Sequence, residues 1–287
     1  MKQIVFKFRP MQLNDVASAM TLSTAESWNQ TEKDWKLFIQ TTGNVCIVAE
    51  ADNKIIGTTT AMNYANKVAW IAMVLVDREY RSRGVSKALL ENVLEKLQHC
   101  SSVKLDATPA GQQVYRNFDF FDEYRIVRMT NPDVKELPLE SFNNLPEQVQ
   151  QCDIAGVTAL DESVFGANRS TLIEFLISEH PKKAWMLKHN DVITGLALGR
   201  NGYKYHHIGP VIASNIKDAK NLVADALRRL TNQKVVVDVL IDKKELIDWL
   251  ESIGFTKQRE FIRMYRKQNP FAGMIEKQFL ICGPEFG

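Results

Sequence analysis

The sequence predicts an α/β fold made of two tandem domains of one kind, each a mixed, mostly antiparallel sheet flanked by helices. Three observations carry that prediction. Stretches of alternating apolar and polar residues lie among stretches whose apolar residues repeat at helical spacing. Residues 68–107 run strand, loop, helix, strand, an order that requires a parallel pair joined by a crossover helix. A residue pattern also recurs: Leu105-Asp106, Phe118-Asp119-Phe120 and Val127-Arg128-Met129 are echoed by Val237-Asp238, Ile253-Gly254-Phe255 and Ile262-Arg263-Met264.

Each element has its own signal. Ile4, Phe6 and Phe8 alternate with basic residues up to Pro10, which reads as a strand stopped by proline. Asn14-Asp15 opens a helical segment with Val16, Ala19, Met20 and Leu22. A second helix over Glu32 to Gln40 has Thr31 as its N-cap and ends at Gly43-Asn44. Strands follow at Val45 to Ala51, Ile55 to Asn63 and Val68 to Val76, the first two joined by an Asp52-Asn53 turn. Leu89, Leu90, Val93, Leu94 and Leu97 mark a helix over residues 84–98, and Val103 to Ala107 a strand. Residues 112–118 read as helical and Tyr124 to Thr130 as a strand.

The polar stretch with Pro132, Pro138 and Pro146 then reads as a linker, placing one domain at 1–131, the linker at 132–149 and a second domain at 150–287. In that second domain, strands are expected at Ala184 to Lys188, Val192 to Arg200, Tyr205 to Ala213 and Val235 to Leu240, with a helix over Ala219 to Leu230.

Composition narrows the function. The chain has 287 residues, 45% hydrophobic, enough for two domains of ordinary size. Its 36 Lys+Arg against 34 Asp+Glu leave a formal charge of +2, too balanced to imply nucleic acid or a membrane surface. Cys46, Cys100, Cys152 and Cys282 form no Cys-x-x-Cys pair, so neither a metal knuckle nor a disulfide framework is expected. They read as reduced thiols of a cytoplasmic protein. The first residues lack a signal-peptide core, and no stretch approaches the roughly 20 apolar residues of a membrane span.

One loop carries chemistry. Met73-Val74-Leu75-Val76 is apolar, and Asp77-Arg78-Glu79-Tyr80-Arg81-Ser82-Arg83-Gly84 leads into a helix that begins Val85-Ser86-Lys87. Unpaired N–H groups at a helix start, with its dipole, suit a pyrophosphate. Gly84 permits close backbone approach, while Arg81, Arg83 and Lys87 add positive charge. The loop lacks both Gly-Lys-Thr/Ser and the three spaced glycines of a dinucleotide site.

With Phe8-Arg9-Pro10-Met11 and Asp15 at the start, Val74-Leu75-Val76, Arg81-x-x-Gly84-x-Ser86, and Leu105-Asp106-Ala107-Thr108-Pro109-Ala110-Gly111 followed by Tyr115, the first 130 or so residues resemble the GNAT N-acetyltransferase superfamily. Residues 150–287 resemble the C-terminal domain of some two-domain members, through Phe165-Gly166-Ala167-Asn168-Arg169 and Ile208-Gly209-Pro210-Val211-Ile212-Ala213.

The resemblance implies two tandem GNAT-like domains and acetyl-CoA as acetyl donor, without a metal. It places the pantetheine arm along Val74, Leu75 and Val76, and the pyrophosphate over Arg81, Ser82, Arg83, Gly84, Val85, Ser86 and Lys87. Tyr115 falls at the family's general acid, where a phenol can protonate a departing thiolate. Ser86 and Asp119 depart from the family's usual Gly or Ala and Gly.

A base must also deprotonate the amine. Glu26 is the first candidate, followed by Asp106 and His206-His207. Trp28, Trp35, Trp70 and Tyr64 are candidate walls for an acceptor, and Glu26, Glu32 and Asp34 could attract a cationic amine. The second domain lacks the Arg-x-x-Gly loop, and Leu250 stands where the first has Tyr115, so a degenerate copy that walls the acceptor site is expected. The expected acceptor is a small-molecule primary amine, and the protein a monomer or homodimer. The alternative is a non-catalytic acyl-CoA sensor, with no use for Tyr115.

Overall fold

The computed structural model describes residues 5–137 and 144–287. Ile4 of the expected first strand and Pro138 of the expected linker lie outside the described residues. The first half runs β1 (Lys7–Pro10), α1 (Val16–Ala25), α2 (Glu32–Gln40), β2 (Val45–Ala51), β3 (Lys54–Tyr64), β4 (Val68–Val76), α3 (Val85–Lys96), β5 (Ser102–Ala107), α4 (Pro109–Arg116) and β6 (Phe120–Asn131). The second runs β7 (Glu147–Gln148), α5 (Ile154–Phe165), α6 (Ser170–Glu179), β8 (Ala184–His189), β9 (Val192–Asn201), β10 (His206–Ile212), α7 (Ile216–Arg228), β11 (Val235–Leu240), α8 (Lys244–Ser252), β12 (Thr256–Lys267) and β13 (Gln278–Leu280).

Local chemistry explains the boundaries. Thr31 and Asp34 close a reciprocal capping box at the start of α2. Asp52 and Asn53 both take positive φ, 49° and 61°, as a two-residue hairpin turn requires. α4 begins earlier than residue 112 because the Thr108 hydroxyl caps it and Pro109 occupies the first helical position. Asp119, at φ 59°, matches Gly254 at φ 95°, so the echo between the halves preserves a left-handed residue before Phe120 and Phe255.

The strands form a single sheet in the order β1-β2-β3-β4-β5-β12-β6-β11-β13-β10-β9-β8-β7. The final long strand of each half is exchanged. β12 lies between β5 and β6, antiparallel to both, while β6 lies between β12 and β11. The recurring acid and arginine pair across that exchange. Arg263 of β12 forms two 2.9 Å bonds to Asp106 of β5, and Arg128 of β6 holds Asp238 of β11 at 2.7 and 2.8 Å.

Helices pack on both faces. α3 covers β2–β5 with Val85, Leu89, Leu90, Val93 and Leu94, and α7 and α8 cover the second half's strands. On the opposite face α1, α2, α5 and α6 share one cluster that joins the halves through Trp35, Phe38, Trp70, Phe165 and Phe286.

Candidate active site

Strands β4 and β5 part company. Their parallel pairing is confined to Val68–Trp70 against Ser102–Lys104. Just beyond, Met73 takes φ 52° and the β3–β4 register shifts, so that β4 bulges. Thr58 Oγ1 donates to the Met73 carbonyl at 2.8 Å and Thr60 Oγ1 to the Ala72 carbonyl at 3.2 Å, pinning the bulge from β3. Past it, Val74, Leu75 and Val76 pair only toward β3, leaving their β5-side edge open.

The open edge leads to the loop before α3. Arg78–Tyr80 make one tight turn, Ser82 (φ 60°) and Gly84 (φ 83°) are left-handed, and no side chain caps α3. The Gly84 carbonyl accepts from Ala88 N at 3.0 Å, which leaves the amides of Val85, Ser86 and Lys87 as the unpaired donors of the first turn. Arg81, Ser82, Arg83, Gly84, Ser86 and Lys87 are exposed there, while the Val85 side chain is buried under α3 and offers only its backbone.

Glu26 is tied to this loop. Arg78 Nε and Arg81 Nη2 both donate to its Oε1, at 3.0 and 2.6 Å. Partial burial pushes the carboxyl up, but the two guanidinium bonds outweigh it and hold the group below its ordinary value. It is not among the residues lining the cleft.

The cleft between the parted strands has a volume of about 270 Å³. Of the residues singled out from the sequence, Trp28, Val74, Ser86, Asp106 and Tyr115 line it. Tyr115 lies edge-on to Phe120 at 5.9 Å, and burial pushes its phenol up to about 12. Burial raises the Asp106 carboxyl, although both its oxygens accept from Arg263. Trp35, Trp70 and Tyr64 are buried in the core instead.

Glu32 is exposed and bridges to Lys36, whereas Asp34 is buried and bonds Arg200. His206 and His207 point to opposite faces of β10, away from the cleft. No group of three metal-ligating side chains occurs among the described residues. Gln30, Arg128, Arg259, Phe261, Pro284 and Glu285 are also among the lining residues. Arg128 stands in the recurring pattern, which does not mark it as a site residue; the others escaped sequence reasoning because they come from a loop, an exchanged strand and the irregular segment after β13, none of which carries a periodic signal at those positions.

The second half has the same strands arranged to the opposite effect. β10 pairs with β11 only over His206–Ile208 against Val235–Val237, and the strands then separate as β4 and β5 do. Here β13 fills the gap, pairing Val211 with Leu280 on one side and Val239 with Leu280 on the other. The start of α7 is closed as well, since Asn215 Oδ1 accepts from the Asp218 amide at 3.0 Å.

Two family models, both described as acetyltransferase (GNAT), match residues 13–120 and 157–280, between them the greater part of the chain. A curated relative named uncharacterized N-acetyltransferase YitH, from Bacillus subtilis, is 26% identical over 208 residues, covering 70% of this chain and 71% of that protein. A structure from Pyrococcus horikoshii, assigned as an acetyltransferase, superposes with a TM-score of 0.80 at 19% identity, over 98% of this chain and 96% of that one. A tandem GNAT protein from the clavulanic acid biosynthesis pathway gives 0.63 at 12% identity, over 93% and 99%. At such identities the structural likeness is one of fold. With both halves matched by acetyltransferase models and folded in tandem, this chain belongs to the GNAT N-acetyltransferases as a two-domain member.

Proposed function

We propose that the protein transfers acetyl from acetyl-CoA directly to the primary amine of a small molecule. The observation that carries this reading is the contrast between the two halves. The β4/β5 cleft is open and runs from Tyr115 to an uncapped, glycine-hinged helix start, whereas its counterpart is filled by β13 and capped by Asn215. The donor therefore belongs to the unit of residues 1–131. Residues 150–287, joined to it through 132–149, form a degenerate copy that walls the acceptor side.

Within that unit, the unpaired edge of Val74, Leu75 and Val76 offers backbone groups to a pantetheine arm, as a further strand would. The first-turn amides, with Arg81, Arg83 and Lys87, suit the pyrophosphate. Bound there, acetyl-CoA supplies an activated acetyl group. Tyr115, its proton retained at neutral pH, is the acid for a departing sulfur. Glu26 braces the arginines of the loop; a carboxylate held by two guanidiniums is a poor base.

Gly84 supplies the test. No heavy atom lies within 4 Å of where its Cβ would be, but φ 83° disfavours any side chain, and a carboxylate would project among the phosphate-binding amides. Calorimetric titration should show about one equivalent of acetyl-CoA bound by the wild type and none by Gly84→Glu. Equal binding by both proteins would remove the cradle from this loop.

A further inference from the structure

The last seven residues cross from β13 to the first half's cleft and are firmly held. Tyr64 Oη donates to the Phe286 carbonyl at 2.8 Å and Trp70 Nε1 to the Pro284 carbonyl at 2.9 Å. Phe286 stacks on Phe38 at 5.3 Å. They deliver Glu285, 3% exposed, to the cleft wall. Its Oε1 accepts from Arg200 Nη2, but its Oε2 is buried and has no hydrogen-bond partner among the described residues. Arg200 is shared with Asp34 at 3.1 Å, so this buried trio of two carboxylates and one guanidinium carries one net negative charge.

Gln30, which lines the same cleft, likewise has a buried Oε1 without a partner among the described residues. A buried acceptor left without a donor costs about 1–3 kcal/mol. Two of them on one cleft, beside a net negative charge, are complemented by a cationic group that only donates, and for a primary-amine acceptor that group is its ammonium.

A second charge lies on the same cleft. Alternate residues of β12 share a face, which groups Arg259 with Phe261 and Arg263. Arg263 is engaged by Asp106, and Arg128 by Asp238. Arg259 lines the cleft with no ion pair to any described carboxylate, and its planar fork suits a carboxylate brought by a ligand.

We propose that the acceptor is an amino acid or a compound of that class, its ammonium received by Glu285 and Gln30 and its carboxylate by Arg259. This rests on the acetyl-transfer reading above. Glu285 Oε2 takes one proton from the ammonium, which frees the nitrogen lone pair. That pair forms the C–N bond to the acetyl carbon as the C–S bond breaks. Tyr115 protonates the departing sulfur and recovers a proton from the new amide nitrogen. The sum is amide, free thiol and one proton, which leaves through Glu285.

The test pairs each L-amino acid with the amine that lacks its carboxylate. Both are titrated calorimetrically into CoA-saturated protein and assayed for thiol release from acetyl-CoA. At least one amino acid should bind and be acetylated, with kcat/KM about tenfold or more above that of its amine. Arg259→Gln should erase this preference by raising KM for the amino acid alone. Glu285→Gln should lower kcat about a hundredfold for both compounds, with partial recovery in Glu285→Asp. Because Glu285 is buried on Arg200, Arg259→Gln, which breaks no side-chain hydrogen bond or ion pair to a described residue, provides a second arm free of the loss of a buried ion pair.

Failure of the wild type to bind acetyl-CoA would remove the acetyl-transfer reading and this inference together. Intact acetyl-CoA binding would overturn the acceptor assignment alone if amines are preferred, if no amino acid is bound or acetylated, or if Glu285→Gln is fully active.

Discussion

Tyr115 and His207 show how burial acts on single groups in opposite directions. With its phenol pushed up to about 12, Tyr115 keeps its proton throughout the neutral range, as an acid must. Tyr115→Phe preserves the ring contact with Phe120 and removes only the hydroxyl. Turnover should fall by about 10²–10⁴ with acetyl-CoA affinity unchanged in titration; undiminished turnover would take the acid's role from Tyr115, whereas a sensor would bind acetyl-CoA with no turnover in either protein. His207 is fully buried: burial, helped by Arg200, pulls the imidazole down to about 4, against the opposing pull of Asp238. Its folded value lies below the unfolded value of 6.5, so the stability it contributes is present above pH 6.5 and is lost as pH falls toward 4. The loss is on the order of 3 kcal/mol. His180, also drawn down to about 4, acts in the same direction. Urea midpoints at pH 7 and 4.5 should differ markedly in the wild type and less in His207→Gln.

Among the elements, α3 and α7 occupy matching places in the two halves and differ at one end. α7 has its first turn satisfied by Asn215, whereas α3 begins at a left-handed glycine with its amides presented outward. Asn215→Ala should therefore cost about 1 kcal/mol in chemical denaturation. It should leave acetyl-CoA titration unchanged, since it touches the closed half. The bulge at Met73 turns β4 away from β5 and makes the cleft; β13 fills the corresponding gap in the second half. One strand arrangement thus yields an open cleft in one half and a filled one in the other.

At the scale of the whole molecule, the exchange of β6 and β12 makes each half's sheet depend on the other. Two buried Asp–Arg pairs lock it, and breaking either by removing one partner costs about 3–5 kcal/mol. The shared cluster under α1, α2, α5 and α6 adds apolar burial across the same seam. Scanning calorimetry should accordingly show one cooperative transition with matching calorimetric and van't Hoff enthalpies. Residues 1–131 expressed alone, lacking β12 beside β5, should fail to fold cooperatively. Two resolved transitions would contradict this coupling.

The sequence by itself determined what short-range chemistry controls. Alternation and capping placed α2, β2, β4 and β11 at their observed ends, and the glycine-hinged loop after β4 marked the likeness to the family. The recurring Asp, Phe and Arg disclosed the duplication. Only the tertiary structure decided which copy's arginine meets which copy's aspartate, because register within a half and exchange between halves satisfy the same residue pattern. It likewise decided that β13 closes one cleft and that Glu285 reaches the other. Neither is encoded in periodicity: a short tail takes its position from the cavities and donors that the rest of the chain has already brought together.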